Sequence, residues 1–306
     1  MLTTLSQSEP ISPLPPGPPG FSVDYFWNRS KALNPLGLYV TAIKLMYGLS
    51  KQPWSSPVEL LESGLCIISQ QPDYNVIILT ADRHPGTTLT TGMVVKVLYE
   101  SVTDMATREP GFYQVNDFIT LNGETIGKMI IDSNNLLLNH EGVLNATLTA
   151  DFPHNIASSH PTERDIGDVT QPSNSNEIID PHDRRLKITW EWGGKNIPAQ
   201  DIFSAAFNGL AASALYDHDG PCEYITALSV SGNAVFHIGR STRTTVFAGV
   251  IARAFYLLIN QLFLVQRRFE ELWIYLSING INFADGYIHK VGRVGAGNST
   301  QGVASE

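Results

Sequence analysis

Arg83-His84-Pro85-Gly86-Thr87-Thr88 is answered further along the chain by Arg240-Ser241-Thr242-Arg243-Thr244-Thr245, and the surrounding residues 82–131 and 239–288 align without a gap at an offset of 157. Gly92 falls on Gly249, Tyr99 on Tyr256, Phe112 on Phe269, and the pair Asn122-Gly123 on Asn279-Gly280. Matches at turn-forming and helix-starting positions are what a duplicated supersecondary unit leaves behind. Upstream the match continues at an offset of 163, with Trp27 on Trp190, Pro35 on Pro198 and Ala42 on Ala205. The change of offset belongs in a loop between the first helix and the first hairpin, where insertions are tolerated.

Working outward from the match, each copy reads β-α-β-β-α-β-β. In the first, an extended lead-in over 23–27 precedes a helix over 36–50, for which Asn34 is placed as cap and Pro35 sits in the first turn. Strands follow over 65–69 and 75–80, then a helix over 90–106. A hairpin of strands 113–121 and 125–131 turns at Asn122-Gly123, a strong short-range hairpin signal. The second copy retraces this order, with a strand over 186–192, a helix over 199–216, strands over 224–230 and 233–238, a long helix over 245–267, and a hairpin of 272–278 with 283–289.

Hairpins demand antiparallel pairing, so the expected class is α+β: a tandem duplication with antiparallel sheets, helices on one face of each, and the two copies packed as a pseudo-twofold body. Two observations support mutual packing. The long helix of the second copy is apolar on every side (Phe247, Ile251, Phe255, Leu258, Leu262 and Val265, with Leu257 and Leu264), so it needs burial on more than one side. Trp273 and Tyr275 alternate with Leu272, Ile274 and Leu276, which puts aromatics on the face of the sheet away from its helices. The expected cover for them is the other copy. The expected division is a Pro-rich disordered tail over 1–20, repeat one over 21–137, an acidic polar linker over 138–184, repeat two over 185–292 and a disordered tail over 293–306.

Composition bounds the function. Of 306 residues 43% are apolar, enough for a substantial core, and the formal charge of −9 leaves no electrostatic footprint for nucleic acid or for an anionic membrane. Val246 to Val265 is apolar enough to raise a membrane span, but Arg253, Asn260 and Gln261 interrupt it and its duplicate carries Lys96, Glu100 and Asp104, so it reads as a buried helix. Two isolated cysteines, Cys66 and Cys222, and an N-terminus without a signal pattern lead to an intracellular, cytoplasmic expectation.

The candidate ligand-binding residues cluster at the junction that opens each long helix: Arg83, Thr87 and Thr88 in one copy, Arg240, Arg243, Thr244 and Thr245 in the other. Arginine and hydroxyls at a helix N-terminus suit a small anion, because free amides and the helix dipole point there. His237 lies close in sequence to Arg240, and Trp273 and Tyr275 complete the set. Asp217-His218-Asp219 has metal-ligand residue types, but consecutive side chains rarely converge on one ion, so no metal, cofactor or catalytic residue is assigned. No nucleophile elbow, phosphate loop or dinucleotide fingerprint is present.

Leu33-Asn34-Pro35 at the first helix, the Asn-Gly hairpins and Asp285-Gly286-Tyr287-Ile288 near the close resemble a family of filamentous-fungal proteins of unassigned activity, over residues 33–290. The resemblance implies no reaction and supplies no site residues. The leading expectation is an intracellular, non-enzymatic scaffold or assembly module with a protein partner or self-association. The alternative is a small-molecule or anion-binding protein, or an enzyme, with a pocket at the repeat interface near Arg240.

Overall fold

A computed structural model describes residues 14–58, 65–70, 75–81, 88–107, 111–133 and 176–291. Repeat one runs β1 (Phe21–Ala32), α1 (Pro35–Leu49), β2 (Leu65–Gln70), β3 (Asn75–Ala81), α2 (Thr91–Thr107), β4 (Tyr113–Leu121) and β5 (Glu124–Ser133). Repeat two runs β7 (Leu186–Asn196), α3 (Ala199–Ser213), β8 (Tyr224–Leu228), β9 (Ala234–Arg240), the long helix α4 (Ala248–Gln266), β10 (Glu270–Ile278) and β11 (Ile281–Lys290), preceded by a short strand β6 (Glu177–Ile179). Every strand pair is antiparallel, in the orders β1-β4-β5-β3-β2 and β6-β7-β10-β11-β9-β8. Apart from β6 the two orders are the same.

Local chemistry repeats with the topology. Asn122 and Gly123 take φ of 53° and 83°, and Asn279 and Gly280 take 51° and 79°, the left-handed pairs that a two-residue hairpin turn requires. A register shift follows Ile119 in one hairpin and Leu276 in the other, at equivalent positions. Isolated bridges join Pro57 to Thr90 and Pro221 to Phe247 just before the long helices. Asn34 caps α1 by accepting the Gly37 N–H at 3.0 Å. The α+β duplication is therefore carried down to turns and bulges, while the side-chain cap is peculiar to α1, since Ile197 stands in the place of Asn34 before α3.

The helices of each repeat lie on one face of its sheet, and the two helical layers meet at a central seam, giving sheet, helices, helices, sheet. In α1 every residue from Gly37 to Leu49 is buried except Lys44. Its counterpart α3 is nearly as enclosed. Tyr39 of α1 meets Phe207 of α3 at 6.3 Å across the seam, and Phe207 stacks on Tyr99 of α2 at 6.1 Å. Helix α4 is long and apolar enough to cross a membrane by length and composition, and most of that stretch is buried within the body. The expected second cover for an all-apolar helix is found there.

The expected cover for the aromatic sheet face is not. Trp273 remains 44% exposed and Tyr224 59% exposed, because the repeats meet through helices and leave the outer sheet faces to solvent. Helices without a polar side compete for the shared interface and win, since they bury more apolar surface there than a half-polar sheet face would. Two boundaries also shift. The expected tail over 1–20 is structured from residue 14: Leu14 is buried, and Gly20 accepts the Asn122 N–H at 2.8 Å. The expected linker over 138–184 is described from 176 onward and carries β6, which pairs with β7, while 1–13, 138–175 and the expected tail over 293–306 lie outside the described residues.

One core position departs from the symmetry. Asp117 in β4 is fully buried where repeat two has Ile274, and Ser101 of α2 beside it stands where repeat two has Leu258. Ser101 Oγ lies 2.6 Å from Asp117 Oδ2 and 2.8 Å from the Val97 carbonyl, which can only accept. One hydroxyl proton cannot serve both, so a protonated Asp117 that donates to Ser101 satisfies the set. Burial pushes the Asp117 carboxyl up to about 7, against the Ser101 hydrogen bond. Because the folded value lies above the unfolded one, this group's contribution to stability is complete below the ordinary carboxylate range and is lost as pH rises through about 7.

Asp117→Asn should therefore flatten the decline of stability between roughly pH 4 and pH 8, and near pH 8 it should exceed wild type by on the order of 1–3 kcal/mol, read by urea denaturation across that range. Phe207→Ala removes a ring that packs on both repeats and should cost about 3–5 kcal/mol in the same assay.

Candidate functional site

A cleft of about 680 Å³ opens at one end of the seam, between the C-terminal half of α1, the turn joining β6 to β7, the loop after α3 and the exposed side of α4. Its wall is an ion pair within repeat two whose arginine also reaches across to repeat one. Arg253 of α4 donates from Nη2 to Asp180 Oδ1 at 2.6 Å and from Nε to Oδ2 at 2.8 Å, a two-bond fork, and from Nη1 to the Tyr47 hydroxyl of α1 at 3.2 Å. Tyr47 stacks on Tyr256 at 4.4 Å with 18° between the rings, and the guanidinium sits 5.5 Å from both ring centres. On Tyr47 the Lys51 ammonium also lies, 4.2 Å from the ring centre. Burial opposes the charge on Arg253, but its bonds to Asp180 and Tyr47 outweigh that and raise its pKa. Burial works against ionised Asp180 as well, and the Arg253 fork, with the His182 N–H, holds its carboxyl below the usual range.

Two features shape the cleft. Helix α4 is α-helical over Ala248–Leu257, π-helical over Leu258–Phe263 and α-helical again over Leu264–Gln266, closing at Arg267 with a left-handed φ of 53°. The wider turn carries Asn260 and Gln261 at the cleft wall, a place where such turns recur in functional sites. Near the other end of the cleft His218 lies against Gly249, and its Nδ1 is buried without a hydrogen-bond partner.

None of the candidate ligand-binding residues read from the sequence lines this cleft, whereas His218 and Asp219, set aside there as metal ligands, do. Arg240, at the end of β9, forms a surface ion pair with Glu223 at 3.1 Å, and Arg243, Thr244 and Thr245 are exposed. At the start of the long helix in repeat two, where an anion site was expected, amides that would face the anion are engaged. The helix begins at Ala248, and its first N–H groups are taken by backbone carbonyls: Ala248 donates to Gly220 at 3.0 Å and Gly249 to His218 at 2.9 Å. In repeat one Gly92 donates to Trp54 at 2.8 Å in the same way, and Thr88 is exposed, while Arg83 and Thr87 lie outside the described residues.

His237 and Trp273 do come together, on the outer face of sheet two. The cross-strand row Glu191, Trp273, Tyr287, His237, Thr226 spans five strands. His237 stacks on Tyr287 at 5.0 Å, Trp273 meets Tyr287 at 5.9 Å and His289 at 4.5 Å, and His237 Nδ1 lies 2.7 Å from Thr226 Oγ1. Burial lowers the His237 pKa, with Asp285 opposing. Tyr275 pairs with Asp285 one row along. Sequence reasoning missed Arg253, Tyr47 and Asp180. Their signal was faint, an arginine interrupting an apolar helix and an aspartate beside a proline.

No family model matches the chain, and no curated protein matches it. Among solved structures, the tandem DUF26 ectodomain of the Arabidopsis thaliana cysteine-rich receptor-like protein PDLP8 is similar at 9% identity and a TM-score of 0.24, over 88% of this chain and 98% of that one. The corresponding ectodomain of Arabidopsis thaliana PDLP5 is similar at 12% identity and a TM-score of 0.23, over the same shares. Nothing about function is carried across from either.

The ion pair itself is testable. The side chains of Arg253 and Asp180 are only 11% and 4% exposed, so Asp180→Ala leaves a guanidinium out of water without its counter-charge. The expected cost is about 3–5 kcal/mol by chemical denaturation, most of it recovered when Arg253→Met is added.

Proposed function

We propose that the chain is a non-enzymatic assembly module whose two packed repeats present the outer face of sheet two to a protein surface, in the first instance a second copy of the chain. The observation that carries this reading is the aromatic row on that face. Tyr224, Trp273 and Tyr287 with His237 and His289 form a continuous cluster in which Trp273 and Tyr224 are exposed, while Glu191 and Asp285 lie exposed at its margin. Trp and Tyr in a contiguous patch with a polar rim are the composition of binding hot spots, since each buries much area at little cost in rotamer freedom. An intracellular setting belongs to the proposal and is supported by Cys222, a buried free thiol whose pKa is raised by burial. The charge of −9 weighs against a nucleic-acid partner.

A second reading, a protein that binds a small ligand, is favoured by the cleft at the seam, where both repeats contribute side chains around about 680 Å³, a volume typical of small-molecule sites.

Sedimentation velocity over a range of concentrations tests the first reading. Wild type should show a reversible dimer, and Trp273→Ser with Tyr224→Ser should shift it to monomer with an unchanged melting temperature. A wild type that stays monomeric at every concentration would overturn self-assembly through this face.

A further inference from the structure

The pseudo-twofold arrangement supplies an internal control for the cleft, because the axis generates an equivalent place at the other end of the seam. There Phe207 of α3 stacks on Tyr99 of α2 with 7° between the rings. The corresponding residues at the cleft are Lys44 of α1 and Tyr256 of α4, and Leu210 and Ala214 correspond to Tyr47 and Lys51. One end of the seam is thus plugged by an aromatic ring. At the other an amine stands in the ring's place and the cleft is open.

The loops leading into the long helices differ in the same sense. Trp54 lies against Gly92 in repeat one, and His218 lies against Gly249 in repeat two. A Cβ at either glycine would come within 2.3 Å of the ring, so both glycines serve the same close approach. An indole in one copy is an imidazole in the other, with its Nδ1 buried and unpartnered. The fold accepts apolar filler at each of these positions, and the polar set is peculiar to one end.

The carboxylates near the cleft are largely committed. Asp180 receives the Arg253 fork, Asp183 receives that of Arg185, and Asp219 is exposed on its loop. The Lys44 ammonium has no ion pair or hydrogen bond among the described residues, and that of Lys51 rests on the Tyr47 ring. Burial holds both below the usual lysine range, and at Lys51 the nearby Arg253 adds to the effect. An ammonium partly withdrawn from water and lacking a counter-ion is stabilised by a bound anion. The fork-shaped donor of Arg253, which matches a carboxylate or a phosphate alike, is already engaged, and what remains are two point charges, which suit the doubly charged phosphate of a monoester better than a singly charged carboxylate.

We propose that this end of the seam binds a small phosphate monoester, its phosphate between Lys44 and Lys51 and its apolar part against the Tyr47–Tyr256 pair. The proposal rests on the ligand-binding reading and names its ligand class.

Isothermal titration of the full chain at low salt, with phenyl phosphate, inorganic phosphate and phenol as probes, tests it. Phenyl phosphate should bind, inorganic phosphate should bind at least about tenfold more weakly, and phenol should give no heat. Lys44→Gln and Lys51→Gln should each weaken phenyl phosphate by about tenfold. Lys195→Gln, at a side chain 75% exposed on β7, should leave it unchanged. Thermal melts of the variants confirm folding, which is expected because both cleft lysines are partly exposed. No heat with phenyl phosphate, or binding that survives the Lys44→Gln, Lys51→Gln pair, overturns the site. Native mass spectrometry separates the two failures. A retained small molecule without phosphate overturns the ligand class and leaves ligand binding standing, and an empty protein that also ignores phenyl phosphate overturns both.

Discussion

Two helices that are buried along nearly their whole length, α1 and α3, dictate the rest of this molecule. A sheet covers one side of a helix. When the other side is equally apolar, a single repeat leaves a stripe that water must border, and a second helical layer is the remedy. Tyr39, Phe207 and Tyr99 form the contact that results, and their burial across the seam is why the repeats share one core. The outer sheet faces are relieved of any packing duty, which is how a row of aromatics comes to stand on one of them.

The same constraint makes polar residues near the seam informative. A charged side chain in a helix buried on all sides is costly unless something compensates it. Arg253 is compensated twice, by Asp180 from its own repeat and by Tyr47 from the other, so that its guanidinium acts as a rivet between halves. Asp117 is compensated by holding its proton. Lys44 has neither device among the described residues, and it lies where the seam fails to close.

Much of the architecture was legible in the sequence because its determinants are local. Asn34 with Pro35, the Asn-Gly turns and the period of each strand depend on neighbours a few residues away, and the repeat multiplied each signal by two. The long helix announced its double burial through composition alone. What failed depended on contacts between distant residues. The threonines before the long helix looked like an anion cradle, but the carbonyls of Gly220 and His218 reach its amides first, a fact visible only in three dimensions. Asp180 and Arg253 are 73 positions apart, and Tyr47 and Arg253 206, so no spacing could pair them. Comparing the copies position by position would have found part of the cleft, since Lys44 against Phe207 and His218 against Trp54 are readable on paper.

Covalent joining of the two halves has a consequence that a pair of identical subunits could not reproduce. In a symmetric homodimer every substitution appears twice, so exchanging a ring for a lysine would unseal both ends of the interface together and forfeit the contact that closes it. With the copies on one polypeptide, each end drifts on its own. The Phe207–Tyr99 end can go on holding the halves shut while its mirror image is remodelled into a polar recess, a division of labour that only a tandem chain permits.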